Sequence, residues 1–238
     1  MGRAFEYRKA TKMKRWAGMA KNFTKVGREI AIAIKEGGAD PNYNSRLRLA
    51  IQNAKGFNMP KVNVENAIKR ATAKDSENYN EVVYEGYGPY GIAFLVETTT
   101  DNPTRTVANV RMYFNRSAGS LGTSGSVDYM FERKGVFKIK KEDVDIDDLE
   151  LDLIDFGLEE VKEEEDELAL YTAFTEFGSM QKALEEKKIE VVSAELLRIP
   201  TAVKKLTDEQ AEQVIKLIDK LEEDEDVANV FTTMDMSE

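Results

Sequence analysis

The hydrophobic period changes once along this chain, near Asp75, and that change limits the possible folds more than any other feature. Before it, apolar residues recur at helical spacing. Val26, Ile30, Ala33 and Ile34 stand at i, i+4, i+7 and i+8, and Gly37-Gly38 stops that helix. Leu47, Ala50, Ile51 and Ala54 repeat at i, i+3, i+4 and i+7, ending at Gly56. Val64, Ala67, Ile68 and Ala71 repeat the spacing after Pro60, with Asn63 as the expected N-cap. Three short amphipathic helices sharing one small core are the prediction.

After Asp75 short strands alternate with helices. Val82–Tyr84 and Ile92–Glu97 flank a Gly/Pro turn, which reads as a hairpin. A helix runs from Pro103 to Asn115, and Ser126–Glu132 is expected to return as a strand. A second unit follows: a strand at Val136–Lys140, a helix marked by Leu149, Leu153 and Phe156, and strands near Glu159–Lys162 and Glu167–Thr172. A helix through Lys188 and a strand at Ile189–Leu197 complete a β-α-β-β-α-β order, the ferredoxin-like pattern. Thr207-Asp-Glu-Gln210 is a capping box for a helix with the stripe Ala211, Val214, Ile215, Ile218 and Leu221, and Val227–Thr232 is a last strand. These last two elements do not fit inside the second unit and are expected to complete the first. The fold class is therefore α+β: a basic arm (1–22), a helical domain (23–76), a discontinuous α/β domain (77–133 plus 204–238) and an acidic ferredoxin-like domain (134–203).

Charge divides along nearly the same line. The 238 residues carry a net charge of −10, which taken whole argues against a polyanionic partner. The first 74 residues hold 10 Lys and 7 Arg against Glu6, Glu29, Glu36, Asp40 and Glu65, an excess of +12, and the rest carries −22. A split this steep has two readings: separate surfaces for separate partners, or halves that attract each other. Arg3, Arg8, Lys9, Lys12, Lys14, Arg15 and Lys21 crowd the arm, interleaved with Phe5, Tyr7, Trp16 and Phe23. Lys25, Arg28, Lys35, Arg46, Arg48, Lys55, Lys69, Arg70 and Lys74 fall on the polar faces of the helices. Lys and Arg neutralise phosphates and release counterions, and aromatic rings such as Trp16 stack on bases. The candidate nucleic-acid-binding set is Arg3, Arg8, Lys9, Lys12, Lys14, Arg15, Trp16, Lys21, Lys25, Arg28, Arg46, Arg48, Lys55, Lys69 and Arg70.

Other chemistry is scarce. Neither Cys nor His occurs, so thiol nucleophiles, imidazole bases, catalytic triads and Cys/His zinc sites are excluded. The longest apolar stretch, Gly91–Val96, is far short of the roughly 20 residues that a spanning helix needs. Gly86-Tyr-Gly-Pro-Tyr-Gly91 matches a dinucleotide fingerprint by letter, but a strand follows where a helix is required, so it reads as a turn. Gly119–Ser126 is a small-residue loop with bare amides, read as a tight connection or a backbone site for a partner. Asp143–Asp148 begins like a calcium loop but lacks its Gly and its closing Glu, and reads as acids at a helix N-terminus. No catalytic residue, cofactor or metal is predicted.

Several blocks resemble the YebC/PmpR family: Gly27-Arg-Glu-Ile30, Glu36–Pro41, Arg46–Ala50, Asn58-Met-Pro60 and Ala67-Ile-Lys69 in the helical part. Tyr84–Pro89, Asp101-Asn, Arg105-Thr-Val107, Leu121–Val127 and Phe131–Gly135 continue the likeness. The resemblance implies three domains, the middle one completed by the C-terminal segment, and a non-enzymatic regulator of gene expression in the cytoplasm. Family members usually open with Gly-His-Ser-Lys-Trp. This chain opens Gly2-Arg-Ala-Phe-Glu-Tyr-Arg-Lys9 and carries its Trp at position 16, so the basic type of the arm carries over and individual contacts do not. The leading expectation is a DNA-binding transcriptional regulator. A ribosome-associated translation factor binding rRNA or tRNA is the alternative. A module whose acidic face takes a basic protein partner is the alternative from another class.

Overall fold

The computed structural model describes residues 19–73, 78–141, 144–164 and 166–236, with side chains from Asn22 onward. Helices α1 (Met19–Gly37), α2 (Ser45–Gly56) and α3 (Lys61–Ala71) pack around Val26, Ile30, Leu47, Ala50, Ala54 and Val64. Gly38, at φ +83°, ends α1 in the left-handed conformation. Asn44 then joins two helices at once. Its side-chain oxygen accepts the Leu47 amide at 3.0 Å as the N-cap of α2, while its Nδ2 donates to the carbonyls of Ala33 and Gly38. The third helix differs from expectation at its start. Pro60, not Asn63, is the N-cap, because its fixed φ leads directly into the helix and costs no amide.

Two four-stranded antiparallel sheets follow. The first joins β1 (Asn80–Tyr87), β2 (Ala93–Thr100), β3 (Ser120–Leu121) and β8 (Val227–Thr232) in the order β3-β1-β2-β8. Helices α4 (Pro103–Arg116) and α7 (Asp208–Glu223) cover one face. Phe94 and Phe114 meet there edge-to-face at 5.5 Å, both fully buried. A fully buried apolar side chain contributes roughly 1.5–3 kcal/mol. The stripe Ala211, Val214, Ile215, Ile218 and Leu221 is buried as its spacing predicts, and Thr207 and Gln210 form the capping box. The C-terminal segment thus completes the first sheet, with β8 paired antiparallel to β2.

The second sheet holds β4 (Phe131–Lys140), β5 (Leu158–Glu163), β6 (Glu167–Ala173) and β7 (Val191–Pro200), ordered β5-β6-β4-β7. With α5 (Ile146–Leu153) and α6 (Phe177–Glu186) on one face, this is the ferredoxin-like arrangement. The Asp145 side chain caps α5 by accepting the amides of Asp147 and Asp148. One strand was expected elsewhere. Residues 126–130 are not a strand of the first sheet; they form a bend and a 3-10 turn (Asp128–Met130), and the ten-residue β4 begins only at Phe131. The Glu85 carboxylate draws the amides of this segment inward, as described below.

Strand β7 is an edge, where unpaired backbone groups invite a foreign strand. Helix α2 covers it. The Asn53 amide pairs with Ala194 as a strand would, donating to its carbonyl at 2.9 Å and accepting its N–H at 3.0 Å. Gln52 donates to the Val191 carbonyl at 3.0 Å. Gly56 permits the approach, since a Cβ there would lie 2.6 Å from the Val192 oxygen.

Candidate nucleic-acid interface

The structure separates the predicted bases into groups with different work. Lys25 on α1 donates to the Ala228 carbonyl of β8. Arg28, one turn on, reaches the carbonyls of Thr99 and Glu225 and lies 3.2 Å from the Asp226 carboxylate, with its side chain only 13% exposed. Its guanidinium also sits 5.3 Å above the centre of the Tyr79 ring. Arg46 bridges Glu36 and Glu81, and Arg48 donates to the carbonyls of Pro41 and Asn42 and lies 3.8 Å from Glu185. These four bases fasten the helical part to the first sheet, brace its own loop or reach α6 beside the second sheet. The attraction between the oppositely charged parts of the chain is therefore real and local.

Lys55, Lys69 and Arg70 behave differently. All three are exposed at the end of α2 and along α3, and none forms an ion pair with a described residue. Lys35, at the end of α1, shares that freedom. Arg3, Arg8, Lys9, Lys12, Lys14, Arg15 and Trp16 lie outside the described residues, as does the side chain of Lys21.

The junction between the helical part and the first sheet is organised by Asp226, which is 3% exposed. Arg105 grips it at 2.7 Å and 3.0 Å, Arg28 approaches from α1, and the hydroxyls of Thr106 and Thr100 lie 2.8 and 3.2 Å away. Burial alone raises a carboxyl pKa, but the hydrogen bonds and charge of Arg105, with those of the two threonines, outweigh it and hold Asp226 below the usual range. A cavity of about 420 Å³ opens beside it. Four acids line it (Asp101, Asp224, Glu225 and Asp226) against Arg28 and Arg105, so it does not suit an added anion. Nearby, burial and then the charge of Glu195 push the Glu29 carboxyl up to about 7, although one side of it still meets water.

The Gly119–Ser126 loop has its anion already. Glu85, 5% exposed, accepts the Gly125 amide at 2.7 Å through one oxygen and the amides of Val127 and Asp128 at 2.8 and 2.9 Å through the other. Burial opposes its ionisation, yet the three amides and the nearby Arg198 leave its pKa lowered. Bare amides of the kind that cradle phosphate are here filled by an internal carboxylate. The Gly86–Gly91 motif is the hairpin turn that its following strand predicts, closed by the Gly88 amide on the Ile92 carbonyl at 2.8 Å.

Three tyrosines are exposed, as is Phe174, whose ring lies under the Arg133 guanidinium. Tyr43 is 89% exposed, Tyr129 74% and Tyr90 38%. Each lies in or beside a polar turn, which is the only signal that marks them.

The profile described as "TACO1/YebC protein N-terminal domain" matches residues 3–74, and "TACO1/YebC second and third domain" matches residues 79–234. A "Probable transcriptional regulatory protein" of Parabacteroides distasonis is 60% identical, covering 98% of this chain and 97% of its own. One of Flavobacterium johnsoniae is 56% identical, covering 98% and 99%. A conserved hypothetical protein from Aquifex aeolicus, solved by crystallography, superposes with a TM-score of 0.80 at 38% identity, over 92% of this chain and 91% of the other. Among the described residues no helix is long and apolar enough to cross a membrane.

Proposed function

Because this chain belongs to the TACO1/YebC family, we propose that it is a non-enzymatic, cytoplasmic, nucleic-acid-binding regulator of gene expression, with duplex DNA as its leading target. Its relatives' names support the regulatory role. The observation that carries the binding is that Lys55, Lys69 and Arg70 on α2 and α3 are exposed and form no ion pair with a described residue, within the same basic stretch of sequence as the arm. Lys55, Lys69 and Arg70 meet phosphates together with the arm, whereas Lys25, Arg28, Arg46 and Arg48 hold the domains in place. No base-specific contact is implied, since phosphate contacts position a protein without reading sequence.

Salt dependence tests this reading. With about six to eight bases on phosphate, log K should fall against log salt with a slope of about −5 to −7. Replacing Lys55, Lys69 and Arg70 together by Gln should make the slope shallower by about 1 per residue. A flat response, or unchanged affinity after removal of residues 1–18, overturns it.

The exposed tyrosines favour a second reading, a ribosome-associated factor that contacts RNA. On that reading the protein sediments with ribosomal fractions at low salt and leaves them as salt rises. Its absence from those fractions at low salt counts against it.

A further inference from the structure

Tyr87, Tyr90 and Tyr129 lie on β1 and on two turns that one segment of the chain joins. Tyr90 occupies the turn between β1 and β2 at φ +60°, next to Gly91 at +71°. A bulky residue seldom adopts that conformation, and the Tyr90 side chain is 38% exposed there. Tyr87 packs against the small apolar cluster beneath β2, and its hydroxyl donates to the Ser126 carbonyl at 3.4 Å, just before the Asp128–Met130 turn in which Tyr129 is 74% exposed. The segment 201–205 ties the two turns together. The Thr201 amide donates to the Met130 carbonyl at 2.9 Å, and Lys204 Nζ donates to the Tyr90 carbonyl at 2.6 Å.

The nearby carboxylates have partners: Glu85 accepts three amides, Asp128 shares Arg198 with Glu97, and Glu132 shares Lys134 with Glu159. Lys204 is exposed, and Lys205 is 87% exposed with only a loose contact to Asp235 at 4.0 Å. Two exposed lysines thus stand on the segment that joins the turns carrying the two exposed rings.

We propose that Tyr90 and Tyr129, with Lys204 and Lys205, form a stacking surface for unpaired nucleobases in a single-stranded or looped nucleic acid. This rests on the nucleic-acid reading above and adds a second site, separate from the bases of α2 and α3. Every base offers a π-face to an exposed ring, whereas a duplex hides those faces against its own neighbours. The lysines meet the phosphates on either side. The glycine-rich loop then serves the site indirectly: its Gly125 amide and the Val127 and Asp128 amides that follow close on Glu85, which sets the turn that carries Tyr129.

The test uses the full chain and one labelled oligonucleotide sequence, as single-stranded RNA, as single-stranded DNA and annealed into a duplex. Tyr129→Ala should bind the single strands about tenfold more weakly, with duplex affinity unchanged. Tyr129→Phe should retain near-normal affinity, because it keeps the ring and loses only the hydroxyl. Circular dichroism checks that both variants fold. If the wild type binds the single strands and Tyr129→Ala binds them equally well, or loses equally on the duplex, the stacking surface is wrong and the phosphate reading stands. If the wild type binds none of the three probes, the nucleic-acid reading fails and this inference falls with it.

Discussion

Replacing Asp226 by Ala should destabilise the protein by about 3 kcal/mol and loosen the helical part from the first sheet. Removing one partner of a buried ion pair typically costs about 3–5 kcal/mol, because the other charge stays buried without compensation. Two features set the value at the lower end. Arg105 is 46% exposed and can regain water, whereas Arg28, at 13%, cannot do so without movement of α1. Thr100 and Thr106 can turn their hydroxyls towards each other, 2.8 Å apart. Denaturant unfolding would measure the loss. Hydrogen exchange would locate it, with faster exchange expected in α1 and at the start of α4. Unchanged protection in α1 would mean that Arg28 does not hold the junction.

Acid should remove the same stabilisation without mutation. The Asp226 pKa is lowered in the folded protein, so its contribution is complete above the ordinary Asp value near ~3.9 and is lost as pH falls through the lower folded value. Asp226→Asn keeps the shape and cannot ionise. The stability gap between wild type and this variant should be constant near neutrality and shrink only below about pH 4.

Local features of this fold were legible in the sequence, and features set by distant residues were not. The stripe of α7, its capping box and the β1–β2 hairpin depend on neighbours within a turn or two, and all three are found as read. Ser126–Glu132 shows why alternation alone misleads. Val127, Tyr129 and Phe131 have the spacing of a half-buried strand, but the amides that a ladder would use turn to Glu85, about forty residues earlier in the chain. Tyr129 stayed hidden inside that strand reading. The bases show the same limit. Composition locates the cations on the helices, but Arg28 loses its freedom to Asp226, 198 positions away, while Lys69 and Arg70 keep theirs. Likewise nothing near Asn53 announces that its amide will act as a strand for Ala194.

Glu85→Ala should cost about 2–4 kcal/mol and weaken single-strand binding without touching Tyr129. The Val127 amide is buried and loses its Glu85 acceptor, at about 1–3 kcal/mol, while the amides of Gly125 and Asp128 lie nearer to water and recover part of their loss. Glu85→Gln should be nearly as damaging. It keeps one oxygen for three donors and turns its own N–H groups towards another donor. Acidification should mimic both variants, since a lowered carboxyl pKa gives stability that is present above the ordinary Glu value near ~4.3 and disappears as pH falls through the folded value. Amide exchange at Gly125, Val127 and Asp128 reads the loop directly, and unchanged rates in Glu85→Ala would sink the account. The loop prefers this carboxylate to a phosphate from solution because β1 delivers it to the site already ordered. An outside anion would have to displace a tethered one and strand its charge where only 5% of the residue meets water. The amides that look most like a phosphate cradle are thereby reserved for positioning, which leaves the exposed rings and lysines beside them to meet the ligand.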